Sequence, residues 1–186
     1  MRKPLNCAAR GSDLKFWLRV VSALGFLLIF ATAACCAESD IAEGVMGMKW
    51  KDPPTKASYP LTREEKLGDV ESYCPTNIFN LLYNSDIGEF KVFFEGMPYM
   101  KPVFWFYKKQ FAELEFYDLD SGRSLLALCE LYGPPTRIIE NGTPEGLQRW
   151  DKGEILIDYV RFENDKAGIW FKHKGLWEKI AAATDR

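Results

Sequence analysis

Between Phe111 and Gly133 the chain changes its apolar period once and then stops. Ala112, Leu114 and Phe116 alternate with Glu113 and Glu115, the period of a half-buried antiparallel strand over 111–117. Residues 118–122 are polar and end that run. Leu125, Leu128, Cys129 and Tyr132 then fall at i, i+3, i+4 and i+7, one face of a helix that Asp120 or Ser121 can cap. Gly133 supplies the left-handed residue that stops the helix, and Pro134-Pro135 prevents its resumption. Such a helix is too short to stand alone, so it must pack on the sheet, with Leu128 buried against Leu114 and Phe116.

Further strands are predicted over 89–95, 100–107, 147–150, 154–162 and 167–172, with a short extended piece at 137–140 and a turn at 163–165. The carboxy-terminal residues Leu176, Trp177, Ile180 and Ala181 form one apolar side of a second helix. The order strand, turn, strand, helix occurs over 103–132 and again over 155–183, a weak internal duplication of pattern. Strand pairs separated by helices, without βαβ crossovers, predict an α+β fold: an antiparallel sheet with helices packed on one face. Thr62-Arg63-Glu64-Glu65 fits a capping box and predicts a short helical turn.

The amino terminus carries an address. Residues 1–37 read as a signal peptide: Arg2, Lys3, Arg10, Lys15 and Arg19 precede an uncharged run from Val20, and small residues from Ala31 to Ala37 supply cleavage positions. The same run is just long enough for an uncleaved anchor. Thr32-Ala33-Ala34-Cys35 resembles a lipobox, which would make Cys35 the lipidated residue. Residues 38–60, with Pro53-Pro54, read as a tether and lead-in segment, and 61–186 as a single α+β domain.

The leader holds five of the 24 basic residues and one of the 26 acidic ones, which leaves the remainder at 19 basic against 25 acidic. An acidic exported part lacks the basic stripe that nucleic acid requires, and the polybasic patch that anionic lipid requires. Membrane contact is therefore expected only through an uncleaved or lipidated amino terminus. Local pairs such as Lys172 with Lys174 read as strand-end charges. Cys74 and Cys129 remain after the leader; they can form one disulfide or stay as two buried thiols.

Catalytic chemistry is narrowly bounded. One histidine, His173, removes multi-histidine metal sites, and no Gly-x-Ser-x-Gly elbow accompanies it, so it reads as a surface residue. No metal site and no cofactor are expected. Glu113 and Glu115 share a strand face, where paired carboxylates could divide acid and base roles. Alternation alone makes them a solvated face. The aromatic strand is the other candidate: Phe104 and Phe106 point one way, Trp105 and Tyr107 the other. Trp105 and Tyr107 beside Glu113 and Glu115 could bind a sugar, a peptide or a partner protein, unless the segment bearing Trp50 and Tyr59 folds over them.

Met46-Gly47-Met48-Lys49-Trp50, the aromatic hairpin, and Leu125…Leu128…Leu131-Tyr132-Gly133-Pro134-Pro135 followed by Trp150 resemble a pattern recurring in small exported bacterial proteins and lipoproteins, mostly uncharacterised. More distantly, the chain is similar to envelope assembly lipoproteins of the BamE type. The resemblance implies an envelope location and a non-enzymatic role. The expectation is an exported, periplasmic or secreted binding or assembly module whose partner is an envelope protein or peptide. The alternative is a small carboxylate-dependent hydrolase.

Overall fold

The computed structural model describes residues 41–78, 81, 85–94, 101–140 and 146–184. A small hairpin, β1 (Gly44–Val45) and β2 (Met48–Lys49), precedes the main sheet. That sheet contains β3 (Leu61–Leu67), β4 (Val70–Pro75), β5 (Val103–Tyr107), β6 (Gln110–Asp120), β7 (Arg137–Ile139), β8 (Leu147–Lys152), β9 (Ile155–Arg161) and β10 (Lys166–His173). Its order is β3-β4-β5-β6-β10-β9-β8-β7, with every neighbouring pair antiparallel. The helices that pack on this sheet include α1 (Lys91–Phe94), α2 (Ser121–Tyr132) and α3 (Lys174–Thr184). The α+β class expected from the sequence is what the chain adopts.

The larger core lies on one sheet face, called here the aromatic face. Phe104, Phe106, Phe111, Leu114, Phe116, Ile157, Tyr159 and Phe171 meet Phe90, Phe93, Leu128 and Tyr132 there. Asp120 caps α2 through its side chain, which accepts a 2.8 Å hydrogen bond from the Arg123 amide. Gly133 ends the helix at φ 76°, a backbone angle favouring glycine. Leu128 has no exposed surface, in keeping with its place in the helical stripe. The Trp150 indole on β8 donates to the Gly133 carbonyl at 2.7 Å, so the helix stop and the tryptophan of the next strand are one structural unit.

Four expectations about local structure are corrected. The segment from Thr62 to Glu65 is in strand β3, paired with β4 through a hairpin at Gly68 and Asp69, and not in a helical turn. Of the run expected as a strand over 89–95, the described residues 89–94 belong to a tight turn at Ser85–Phe90 leading into α1: Phe90, Phe93 and Phe94 have helical spacing, and all three are buried. The predicted strand missed that spacing. Residues expected to form a lead-in segment belong to the core, where Ile41, Val45, Met46, Met48, Trp50 and Tyr59 are buried. Lastly, the helices occupy both faces. α1 and α2 sit on the aromatic face, whereas α3 buries Leu176 and Ile180 with Val70 and Ala112 on the opposite one.

Two meanders, β3–β6 and β7–β10, each end in a helix and meet at the β6/β10 pair. A rotation exchanging two antiparallel neighbours keeps each sheet face in place. Helices on opposite faces therefore mean that the two halves share an order of elements without sharing a symmetry axis.

Trp50 and Tyr59 also differ from expectation. Trp50 stacks on Phe111, with ring centroids 4.8 Å apart and planes 6° from parallel, and donates to the Ile41 carbonyl at 2.8 Å. Tyr59 packs on Phe104 and donates to the Met46 carbonyl at 2.9 Å. Both lie on the aromatic face, so this segment does not cover Trp105 and Tyr107.

Candidate functional site

The opposite face of the sheet, which carries α3, is built from two neighbouring rungs. One runs Val103, Glu115, Trp170, Asp158, Arg149 across β5, β6, β10, β9 and β8. The next runs Ser72, Trp105, Glu113, Lys172, Leu156 across β4, β5, β6, β10 and β9. A bulge in β6 sets two residues, Ala112 and Glu113, against Trp105 and so keeps Glu113 on this face. Gly168 leaves space for the Trp170 ring: a Cβ there would come within 2.4 Å of it.

One part of this face is a buried ionic network. Arg149 grips Asp158 with two hydrogen bonds, 2.5 Å from Nε and 2.7 Å from the terminal nitrogen. Lys172 donates to Asp158 at 3.0 Å and lies 3.9 Å from Glu113. The Lys172 ammonium also sits 4.6 Å from the centre of the Trp177 ring on α3 and 5.6 Å from that of Trp170. Two carboxylates, two cations and two indoles thus complete one another, in the way that buried charge requires. The Asp158 carboxylate holds the Arg149 guanidinium above its usual pKa.

The other part is a groove of about 590 Å³, lined by Glu64 and Glu65 of β3, Ser72 and Cys74 of β4, Lys101, Val103 and Trp105 by β5, and Glu115 and Tyr117 of β6. The Tyr117 hydroxyl donates to Glu115 at 2.9 Å, and its ring stands edge-on to Trp170. Burial, then the Glu115 charge, push the Tyr117 pKa up to about 12. The phenol therefore stays protonated and holds Glu115 in one orientation at neutral pH.

The four site residues expected from the sequence share this face but divide between its parts. Trp105 and Glu115 line the groove. Tyr107 packs against α3 and receives Lys179 at 6.0 Å, while Glu113 joins the ionic network. The expectation that Glu113 and Glu115 are solvated is overturned: they are 1% and 3% exposed, because α3 and the tryptophans close over that side. Lys172 is likewise buried and not a strand-end charge. Cys74 and Cys129 are free thiols. The sheet separates them: Cys74 lines the groove and Cys129 packs into the core on the aromatic face, so no bridge can form. Cys35 lies outside the described residues.

Sequence reasoning passed over Arg149, Asp158 and Tyr117. Asp158 had a readable signal, a single acid inside the apolar run Ile155-Leu156-Ile157-Asp158-Tyr159-Val160. A charge in a strand of that kind demands a buried partner.

His173 is buried on the aromatic face, not at the surface, with Trp50 edge-on to it at 6.1 Å and Glu154 3.5 Å from its Nε2. Burial, reinforced by Lys51, pulls its pKa below the usual value, against a smaller upward pull from Glu154. The folded state therefore binds this proton less readily than the unfolded chain. The stability this confers is complete above about pH 6.5, the unfolded-chain value, and is lost as pH falls from there through the folded pKa. The melting temperature should fall between pH 7.5 and pH 5, and His173→Gln should flatten that part of the profile; an unchanged profile in the variant would assign the loss to other groups.

Among the described residues no helix is long and apolar enough to cross a membrane, and no group of three or more His, Cys, Asp or Glu side chains could hold a metal ion. No protein-family model matches the chain, and no curated protein matches it. Among solved structures it is similar to a DUF4309 family protein, YjgB, from Bacillus subtilis, at 20% identity and a TM-score of 0.31. The match covers 40% of this chain and 57% of that one, less than two thirds of its length.

Proposed function

We propose that the chain is an exported, non-catalytic binding module of the cell envelope, and that the groove over Trp105 holds a partner protein or peptide. The leader over 1–37 supports the export part of this reading. The groove itself carries the binding part. It brings a half-buried tryptophan, a partly exposed tyrosine and a fixed, buried carboxylate together on an open surface. The hydrolase alternative asks two acids to face one substrate. Glu113 is held by Lys172 and does not line the groove, so that alternative would have to pair Glu115 with Glu64 or Glu65.

Crosslinking of the purified protein in envelope extracts, followed by mass spectrometry, tests the reading. Wild type should capture a discrete partner, and Tyr117→Ala with Glu115→Gln should lose it while keeping the wild-type circular dichroism. Hydrolysis of an envelope polymer that Glu115→Gln abolishes would replace the binding reading with the enzymatic one.

A further inference from the structure

We infer that the groove selects a basic segment of polypeptide, seating a lysine or arginine side chain over Trp105 between Glu115 and the Glu64–Glu65 pair. The inference rests on the binding reading above and specifies the partner. Three carboxylates and one ammonium, Lys101, line the groove. Strands β3 and β4 neutralise the carboxylate they present on their other face, since Arg63 and Lys66 lie 3.6 and 3.0 Å from Glu71. Their groove side is treated differently: Glu64 and Glu65 form no ion pair among the described residues. Ser72 is 3% exposed, lines the floor beside Trp105, and its hydroxyl makes no hydrogen bond among the described residues. Glu64 and Glu65 therefore offer negative charge outside any ion pair among the described residues, beside an indole and the hydroxyl of the nearly buried Ser72.

These groups suit a cation on an apolar stem. Its methylenes lie on the indole, its charge gains the cation–π attraction, and its N–H groups make charge-assisted bonds to the carboxylates. A neutral sugar would stack on the same ring and its hydroxyls would donate to the acids, but it would bring no positive charge to offset the groove's excess of negative charge. The groove crosses four strands, about 14 Å at the usual spacing of about 4.8 Å, which accommodates about four residues of extended chain.

Calorimetric titration of the purified protein with three capped hexapeptides tests this: one with lysine at alternate positions, one with norleucine in their place, one with glutamate. The lysine peptide should bind about tenfold tighter than the norleucine peptide, and more weakly as salt is raised. Glu64→Lys with Glu65→Lys, both at exposed positions, should abolish that preference without changing the melting temperature. Equal binding of the lysine and norleucine peptides would overturn the choice of cation and leave the groove as a peptide site. Binding of chitotetraose alone would overturn the inference and the peptide partner with it. If no probe binds, and the Tyr117→Ala, Glu115→Gln protein captures the same partner as wild type, the inference and the groove-binding reading both fall.

Discussion

Asp158→Ala should destabilise the protein by about 3–5 kcal/mol in urea denaturation, the usual cost of removing one side of a buried ion pair. Asp158 is 1% exposed and is the anion shared by Arg149 and Lys172. Without it, the Arg149 fork loses both of its hydrogen bonds, and two cations face each other with Glu113 alone beside Lys172, at 3.9 Å. Asp158→Asn keeps the shape and one acceptor but removes the charge, and should fall between wild type and Asp158→Ala. Combining Asp158→Ala with Arg149→Met should recover part of the loss, because the orphaned guanidinium is removed as well. A cost below 1 kcal/mol would mean that water enters this network and does the work of the carboxylate.

The second large effect belongs to the aromatic core. Phe116→Ala should cost about 3–5 kcal/mol, the range for emptying a buried phenylalanine site. Phe116 has no exposed surface and contacts the rings of Phe90, Phe93, Phe94 and Phe171 at centroid distances of 6.5, 5.7, 5.8 and 6.2 Å. Three of those partners come from the turn and short helix around α1. A four-residue helix has no independent stability, so its order depends on this packing. Amide exchange over Lys91–Phe94 should therefore accelerate more in Phe116→Ala than exchange in β9. Equal acceleration in both would show that the variant opens only by global unfolding.

The parts of the fold legible in the sequence were those where one local rule suffices. α2 has a cap, an apolar stripe and a glycine stop, and β5, β6, β9 and β10 carry runs that only strands satisfy. The 85–94 region failed because Phe90, Val92, Phe93 and Phe94 are compatible with both periods, and burial against Phe116 and Phe171 decides between them. The sites failed for a different reason. Alternation places Glu113 and Glu115 on one sheet face but says nothing of what covers that face; here α3 and Trp170 do, and Lys172 supplies the counter-charge from a strand distant in sequence. Glu64 and Glu65 became visible as groove residues only once β3 was seen to pair with β4, since the capping-box reading placed them on a helix.

The meeting of two meanders at a single strand pair has a kinetic side. Within β3–β6 and within β7–β10, each strand pairs with its neighbour in sequence, so each half can gather most of its ladder from relatively local contacts. The β6/β10 pair is the exception, joining the last strand of each half. Closing it requires the second half to have come back across the first, with α2 and β7–β9 already in the intervening chain. Loop-closure entropy weighs most on that step, so pairing at the β6/β10 seam is expected to be the costliest closure in folding. The same seam brings Glu113 on β6 beside Lys172 on β10. The bonds from Arg149 and Lys172 to Asp158 lie within β8–β10 and form with the second half, whereas the Glu113–Lys172 contact at 3.9 Å is added only when the two halves dock.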